Sequence, residues 1–275
     1  MIPISLEESK KIQVSILESI HAFCKENNLS YALAFGALIG AVRHGGFIPW
    51  DDDIDILMPR DAYDYFIANF FDKTGRYKVH SLKNDSKYSL PFAKVEDTRT
   101  MLIEKSSRDN SLGISIDVFP ADLIGDNMEA SLAIVRKIGI IKSLFKGKLV
   151  IPNKRNSLIK ILGIYGLKFL GLPFSLRFLA KKIENLCSTI GSPEANYMGC
   201  LCWGYGKKEI MPRSIFDNYI TIQFEGKDFF TFKDWHLFLT THYGDYMKLP
   251  PENKRHSPHE ITDIYWRYNE GPISK

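Results

Sequence analysis

Four aspartates within five residues, flanked on both sides by apolar side chains, form the feature that most restricts how this chain can fold. Residues 50–56 have the sequence WDDDIDI; Phe47 and Ile48 lie before them, and Leu57 and Met58 follow. Neighbouring carboxylates repel one another unless water or a cation compensates their charge. Because the apolar flanks must be buried, the chain has to place a concentrated negative charge at the edge of its core.

Two simple interpretations of this acidic stretch fit its residues poorly. A solvated acidic loop would not be enclosed by apolar residues on both sides. A calcium loop of the EF-hand type would use Asp51, Asp53 and Asp55 as its first ligands. That loop needs glycine at its sixth position and glutamate at its twelfth, where this chain has Ile56 and Ala62.

The interpretation that fits best is a divalent-metal site on a strand. In an extended segment over 53–58, Asp53 and Asp55 lie on one face about 7 Å apart, and the isoleucines between and after them point into the core. Asp117, in the SIDVFP sequence of residues 115–120, has the same polar setting between apolar residues and is the predicted third carboxylate. Hard oxygen ligands suit Mg²⁺, with Mn²⁺ as the alternative, and Mg²⁺ commonly completes its coordination with substrate phosphates.

The residues next to this pair are expected to assist the ligands. Asp51 and Asp52 are predicted to support the metal ligands or to guide the ion in, because Asp52 points away from Asp53 in an extended chain. Gly36 lies at a strand-to-helix turn, where backbone amides can hold phosphate oxygens. Glycine at a turn is a weak signal alone, and the downstream aspartates make it more specific.

The order of the predicted elements indicates an α+β fold, with a mixed β-sheet core flanked by helices. Ser5 and Glu8 form a capping box at the start of the first helix. Asp61 is predicted to cap a later helix, whose core-facing residues are Tyr63, Phe66, Ile67, Phe70 and Phe71. Strands are predicted at 31–35, 53–58, 77–82, 92–96, 100–103 and 115–119, and a short helix at 37–42.

The chain divides into three predicted regions. Residues 1–129 form a catalytic core, 130–190 a basic and largely helical insertion, and 191–275 an aromatic-rich part that completes the site. Between residues 131 and 186 there are twelve Lys or Arg and a single acid, Glu184, which gives +11, whereas the whole chain carries +4. The basic surplus is therefore local and needs a local explanation.

Two interpretations of the basic insertion stay open. Amphipathic basic helices with Phe and Leu suit an anionic membrane surface, but such helices also pack on acidic core domains. Lys160, Lys168 and Arg177 interrupt the apolar run, so no stretch reaches the roughly 18 apolar residues of a spanning helix. Apolar residues dominate between the charges, unlike in a groove that follows phosphates, and we expect no nucleic-acid partner.

The cysteines and the first residues indicate a reducing compartment. Cys24, Cys187, Cys200 and Cys202 are too few and too scattered for a disulfide framework, and they lack the spacing of a zinc site. Residues 1–5 lack the basic region and apolar run of a secretory signal. We therefore expect a cytoplasmic protein, which contacts the inner face of the membrane peripherally if the first interpretation of the insertion holds.

Four blocks of the sequence resemble, in the same order, the motifs of the LicD family. They are residues 36–56 (GALIGAVRHGGFIPWDDDIDI), 91–100 (PFAKVEDTRT), 116–120 (IDVFP) and 243–251 (YGDYMKLPP). The resemblance implies a nucleotidyltransferase-like fold. It also implies a phosphotransferase that moves a phospho-alcohol, typically phosphocholine, from a CDP-activated donor to a sugar hydroxyl of a cell-surface glycan.

The resemblance also implies roles for individual residues. Asp53 and Asp55 would hold Mg²⁺, and Asp117 would either ligate the metal or accept the proton of the acceptor hydroxyl. The residues expected to contact the substrate are Gly36, Arg43, His44, Trp50, Lys94, Arg99, Arg255 and His259. Of these, Trp50 is the candidate for holding a quaternary ammonium over its ring, ahead of Tyr88, Trp203 and Tyr205.

Two other functions remain as alternatives. A nucleotidyltransferase that moves NMP onto a sugar or a protein would use the same metal centre. A scaffold that binds a glycan or a lipid without catalysis would have no need of three aspartates, so their presence argues against it. The phosphotransferase and the nucleotidyltransferase differ in the product that they release. The phosphotransferase releases CMP, and the nucleotidyltransferase releases pyrophosphate.

Overall fold

The computed structural model describes residues 2–104, 112–150, 158–257 and 261–267. The helices are α1 (Leu6–Glu26), α2 (Phe35–His44), α3 (Arg60–Asn69), α4 (Met128–Leu149), α5 (Leu158–Gly171), α6 (Leu176–Ser188) and α7 (Trp235–Tyr243). The strands are β1 (Ala32–Leu33), β2 (Asp55–Pro59), β3 (Tyr77–His80), β4 (Ala93–Asp97), β5 (Thr100–Glu104), β6 (Ser115–Ile124), β7 (Tyr197–Gly199), β8 (Met211–Pro212), β9 (Tyr219–Phe224), β10 (Lys227–Phe232) and β11 (Ile261–Trp266). Short 3-10 helices cover Gly206–Glu209, Arg213–Phe216 and Glu252–Lys254.

A mixed sheet forms the centre of the molecule and confirms the predicted α+β class. Its strand order is β1-β2-β6-β4-β3, and β7 pairs with the later part of β6 and with β8. β2 and β6 run parallel, whereas β4 runs antiparallel to β6. In this register Asp117 of β6 lies between Asp55 of β2 and Lys94 of β4. The pairing therefore brings three charged residues to one place in the sheet.

The first helix forms as its sequence predicts. The Ser5 hydroxyl accepts a hydrogen bond from the Glu8 amide at 3.1 Å, which satisfies one of the free donors at the start of α1. Ile16, Leu17 and Ile20 are fully buried, on the side of α1 that faces the sheet. Complete burial of such a side chain contributes roughly 1.5–3 kcal/mol.

Two predictions about α3 are wrong. The helix begins at Arg60, one residue before Asp61, and Asp61 does not cap it, because Pro59 occupies the N-cap position. Arg60, the first residue of the helix, donates from its Nε to the carboxylate of Asp122 on β6 at 2.6 Å. The helix ends at Asn69, so Phe71 lies beyond it and is 73% exposed, not in the core.

Several strand ends also differ from the predictions. β6 runs five residues further than predicted, to Ile124, because β7 pairs with this additional part. β2 starts two residues later than predicted, and α2 starts two residues earlier, at Phe35. β1 is shorter than the predicted 31–35. The strands and helices themselves are confirmed.

Helices α4, α5 and α6 lie between β6 and β7 in the chain and cover most of the basic insertion. α4 contacts both α5 and α6, and α6 contacts β6. Among the described residues, no single helix is long and apolar enough to span a membrane. One bent pair, Ile161–Gly171 and Leu176–Ser188, reaches that length and composition with an angle of 86° between its halves. The three-region division of the chain stays a prediction.

The C-terminal part packs against the N-terminal part of the sheet. The β9–β10 hairpin lies against β1, where the Thr231 hydroxyl donates to the Leu33 carbonyl at 3.1 Å. β11 pairs with β5, and the Ile4 amide donates to the Ile264 carbonyl at 2.8 Å. The four cysteines are free and buried, as expected for a chain without a disulfide framework.

Candidate active site

The loop between α2 and β2 holds most of the aspartates and is fixed at both of its sides. Gly45 ends α2 with a left-handed φ of 70°, which glycine adopts without strain. A Cβ atom on Gly40 would lie 2.3 Å from the Gly46 carbonyl oxygen, so this close approach of helix and loop requires glycine. Glu225, at the tip of the β9–β10 hairpin, accepts from the Phe47 amide at 3.0 Å. The C-terminal hairpin therefore positions the acidic loop.

Five aspartates converge beside this loop. Asp51, Asp52 and Asp53 each place one carboxylate oxygen within 4.8 Å of one from the other two. Asp55, the first residue of β2, lies opposite Asp117 in the parallel register. Burial raises the pKa of Asp55 well above its usual value, and the charges of Asp53, Asp117 and Asp51 raise it further. Such a cluster needs compensating positive charge before all its members ionise.

Because β2 starts at Asp55 and not at Asp53, the aspartates are arranged differently from the predicted strand. The residues before Asp55 are irregular, so the alternation of an extended strand does not apply to them. Asp52 lies beside Asp51 and Asp53, and the expectation that it points away from Asp53 is wrong. Its side chain is buried and accepts from the Ser257 hydroxyl at 2.6 Å. Asp53, Asp55 and Asp117 do lie in one cluster, and their role as metal ligands stays a prediction.

Gly36 lies against the acidic loop. A Cβ atom at this position would be 2.7 Å from Asp51 Oδ2, so the absence of a side chain makes room for that carboxylate. Phe35, just before it, has a φ of 48°, a left-handed conformation that costs roughly 1–2 kcal/mol outside glycine. Its ring packs against Phe119, Phe238 and His242, with centroids 5.5–5.9 Å apart. This packing compensates the strained backbone at the turn.

Lys94 lies on β4 and Arg99 in the turn between β4 and β5, and their surroundings differ. The Lys94 ammonium forms an ion pair with the Asp117 carboxylate, inside the acidic cluster. Arg99 lies five residues further along and pairs with the buried Asp97 at 3.2 Å, beside Arg76. Lys94 therefore lies with the aspartates of the acidic cluster, whereas Arg99 belongs to a separate group of charged side chains around Asp97. The phosphate role of both residues stays a prediction.

Arg43 and Arg255, two further predicted substrate contacts, are held by residues near the acidic loop. Arg43 donates to the Tyr246 carbonyl at 3.0 Å and to His44 Nε2 at 3.0 Å. The Arg255 guanidinium lies over the Trp50 ring, 5.7 Å from its centroid. One face of Trp50 is therefore already covered by a cation. His259 lies outside the described residues.

An aromatic corner, formed by Tyr205 and Tyr243, lies beside Asp55. The two rings are 5.9 Å apart and nearly perpendicular, at 76°, and Tyr205 is 59% exposed. Burial raises the pKa of Tyr243, and its neighbours Tyr205 and Asp55 raise it further. Sequence reasoning considered Tyr205 but set it behind Trp50, and it missed Tyr243 although that residue begins the fourth sequence block.

A buried pair, Glu209 and His242, lies on the inner side of this aromatic corner. Both side chains are fully buried, with Glu209 Oε2 and His242 Nε2 3.1 Å apart. His242 Nδ1 must donate to the Phe238 carbonyl, 2.8 Å away, since a carbonyl oxygen can only accept. Sequence reasoning missed the pair, because the GKKE sequence around Glu209 is typical of an exposed segment.

Comparisons with known proteins point to one family. A sequence model of the LicD/FKTN/FKRP nucleotidyltransferase domain matches residues 28–142. The lipopolysaccharide cholinephosphotransferase LicD of Haemophilus influenzae is 34% identical over 272 residues, which cover 95% of this chain and 98% of that protein. An uncharacterized protein of Rickettsia typhi is 28% identical over 125 residues, 44% of this chain and 38% of its own length. A second, from Rickettsia prowazekii, is 38% identical over 64 residues, 20% of this chain and 24% of its own length.

Proposed function

Because the chain belongs to the LicD family, we propose that it is a metal-dependent phosphotransferase that moves phosphocholine from a CDP-activated donor to a hydroxyl of a cell-surface glycan. The observation that carries this proposal is the cluster of Asp51, Asp53, Asp55 and Asp117, which meets Lys94 at the end of the central sheet. The relative that matches nearly the whole chain is named a cholinephosphotransferase of lipopolysaccharide, which supports both the transferred group and the class of acceptor.

The donor atoms of the cluster fit a hard divalent cation. They are all carboxylate oxygens. Burial, and then the charges of the neighbouring aspartates, raise the pKa of Asp55, and a cation would neutralise those charges. Asp53, Asp55 and Asp117 are the proposed ligands, and Asp51 and Asp52 lie close enough to Asp53 to assist them. Mg²⁺ or Mn²⁺ held there would neutralise charge on the donor diphosphate and make CMP a better leaving group.

The residues around the cluster position the two substrates. Lys94 places a positive charge beside Asp117, where it can also attract a phosphate oxygen of the donor. Asp117 is positioned at the same point to ligate the metal or to accept the proton of the attacking hydroxyl. Phosphoryl transfer needs in-line positioning and charge neutralisation above all, and this group of charges supplies both.

The aromatic corner is the proposed site for the choline head group. A quaternary ammonium binds over the faces of aromatic rings, and Tyr205 and Tyr243 meet at an angle beside Asp55. Trp50 is a weaker candidate than the sequence indicated, because Arg255 covers one of its faces.

Asn variants of Asp53 and Asp55 test the proposed chemistry. We expect Asp53→Asn and Asp55→Asn to lower the rate of CMP release from CDP-choline by at least about 100-fold, because each removes a charge that the reaction needs. Both variants should stay folded, and the rise in Tm that Mg²⁺ causes in the wild-type protein should be lost. Asp61→Asn, an exposed aspartate in the first turn of α3, is the matched control and should keep full activity.

The products of the same assay separate the alternatives. Release of CMP together with labelled choline on the glycan supports the proposal, whereas pyrophosphate release from an NTP would establish a nucleotidyltransferase. A fully active Asp53→Asn/Asp55→Asn double variant would falsify the metal-dependent mechanism. Comparison of CDP-choline with CDP-ethanolamine, CDP-ribitol and CDP-glycerol identifies the donor.

A Tyr205→Leu variant tests the head-group site. A cation over an aromatic ring gains roughly 0.5–2 kcal/mol, so the KM for CDP-choline should rise about 2- to 30-fold. Binding of CDP-glycerol, which has no cation, should change little. Tyr65→Leu, a partly exposed tyrosine on α3, serves as the control. Equal losses for both donors would show that Tyr205 does not read the head group.

A further inference from the structure

Helix α5 and Leu172, the residue after it, expose an unusual number of large apolar side chains. Six of them, within residues 159–172, are between 57% and 84% exposed. They are Ile159, Leu162, Tyr165, Phe169, Leu170 and Leu172. The first five lie on one side of the helix, because their spacing follows its turn of 3.6 residues. We call these six residues the α5 surface.

The opposite side of α5 is fixed to the rest of the protein. Ile164 is buried, and α5 contacts α4. Gly147 of α4 permits the close approach, since a Cβ there would lie 2.6 Å from Leu167 Cβ. The Lys148 ammonium donates to the Gly171 carbonyl at the end of α5, at 2.8 Å. Because the inner side of α5 is packed on α4, the six residues of the α5 surface point to solvent together. They form a continuous apolar patch and are not single exposed residues scattered over the surface.

The charges near the α5 surface are almost all positive. Lys168 lies on α5 itself, Lys148 contacts its last turn, and Lys182 of α6 lies 5.8 Å from the ring of the partly exposed Phe178. α5 contains no acidic residue, and residues 131–186 carry +11. An apolar surface bordered by cations is complementary to a bilayer that contains anionic lipids.

We propose that the α5 surface docks on an anionic membrane, with α5 lying in the plane of the bilayer surface. Its apolar side chains would enter the boundary between headgroups and acyl chains, and the neighbouring lysines would contact the lipid phosphates. The proposal is independent of the reaction that the protein catalyses.

Insertion in the plane agrees better with the contacts than a bent span does. The bent pair would require α6 to enter the bilayer together with α5. Leu179, Ala180 and Ile183 of α6 are instead buried in the protein. Arg177 donates to the Leu82 and Asp85 carbonyls at 2.8 and 2.6 Å. A crossing would break these contacts, whereas docking of α5 alone leaves them intact.

Charge also favours a membrane over a second copy of the chain. A two-fold symmetric dimer joins the same surface of both subunits. Contact through the α5 surface would therefore bring two segments of +11 against each other, which costs free energy. An anionic bilayer removes that repulsion and also covers the apolar side chains.

The docked helix is connected to the candidate active site through α4. Lys142 of α4 donates to the Gly204 carbonyl at 2.7 Å, and Lys146 lies 4.4 Å from the Trp203 ring centroid. Both contacts hold the loop that carries Tyr205. Membrane docking would accordingly hold the aromatic corner at a constant position relative to the bilayer.

Vesicle binding by the full chain tests the proposal. We expect the protein to co-sediment with vesicles of phosphatidylcholine and phosphatidylglycerol, and to bind at least tenfold more weakly to phosphatidylcholine alone or at high salt. A Leu162→Ser/Phe169→Ser variant should bind the anionic vesicles at least tenfold more weakly than the wild type. Both positions are exposed, so the variant should keep its fold, which circular dichroism and Tm verify.

Phe71→Ser is the matched control, because Phe71 is as exposed as Phe169 but lies beyond α3, outside the α5 surface. It should bind vesicles like the wild type. Absence of wild-type binding at low salt would overturn the proposal, as would a double variant that binds equally well. A wild-type dimer that the double variant dissociates, without vesicle binding, would identify the α5 surface as a subunit interface instead.

Discussion

At the scale of single residues, buried ionisable groups depend on particular partners, and His80 is the clearest case. Its Nδ1 and Nε2 lie 2.8 and 2.9 Å from the carboxylates of Asp85 and Glu96. Both partners accept, so both ring nitrogens donate when the imidazole is charged. Burial opposes that charge, but the hydrogen bonds to Glu96 and Asp85 outweigh it, and the pKa of His80 is raised above 6.5.

This raised pKa predicts a pH dependence of stability. Charged His80 stabilises the fold fully below the unfolded pKa of 6.5, and the contribution is lost as the pH rises through the higher folded pKa. In thermal unfolding from pH 5.5 to 9, the Tm of the wild type should therefore exceed that of His80→Gln at low pH and approach it at high pH. A constant difference between the two proteins across this range would contradict the assignment.

Acid should act on the partners of His80 in the opposite direction. The hydrogen bond from His80 holds the pKa of Asp85 below its usual value. Burial raises the pKa of Glu96, but its hydrogen bonds with His80 and the Gly113 amide lower it further than burial raises it. A carboxylate with a lowered pKa contributes stability that is present above its unfolded pKa and lost on acidification. The group as a whole is thus most stabilising between the carboxylate and imidazole ranges.

At the scale of elements, the helices of the basic insertion differ in what they do. α6 is part of the folded core, with its N-terminus capped by Ser175 and its Arg177 donating to carbonyls of the 82–88 segment. α5 is attached through one side and exposes the other. α6 therefore fits the interpretation in which the basic helices pack on the core, whereas the membrane interpretation stays a proposal and concerns α5.

Arg177→Met tests the role of α6 as a core element. The substitution keeps an unbranched apolar stem but removes a charged donor from the carbonyls of Leu82, Asp85 and Tyr88. Hydrogen bonds from charged groups contribute roughly 1.5–3 kcal/mol each and are not additive, so we expect a loss of about 2–4 kcal/mol in the free energy of unfolding. Urea titration measures the loss. Lys181→Met, an exposed lysine on the same helix, should change the free energy by less than about 0.5 kcal/mol.

At the scale of the whole molecule, the candidate active site combines parts that are distant in the chain. The acidic loop follows α2, Asp117 and Lys94 come from the central sheet, and the aromatic corner comes from residues after 200. Glu225 of the β9–β10 hairpin holds the loop, and Ser257 hydrogen-bonds to Asp52. The C-terminal part therefore contacts the acidic loop directly, and its role in completing the site stays a prediction.

The sequence by itself determined the features that depend on near neighbours in the chain. Helical spacing, strand alternation and the cap at Ser5 predicted the elements and the α+β class, because the hydrogen bonds and periodicities involved span only a few residues. The four blocks identified the family, and the acidic run predicted a cation site, because like charges so close together require compensation by water or a cation whatever the fold.

Only the tertiary structure decided the rest. The predictions for Asp61 and Phe71 were wrong because α3 begins at Arg60, with Pro59 as its N-cap, and ends at Asn69. The partners of Asp52, Glu209 and Tyr243 lie 205, 33 and 38 residues away in the chain. Pairings over such distances are set by the packing of the whole chain, so no local pattern encodes them. The acidic stretch predicted a site, and the tertiary structure determined which residues surround it.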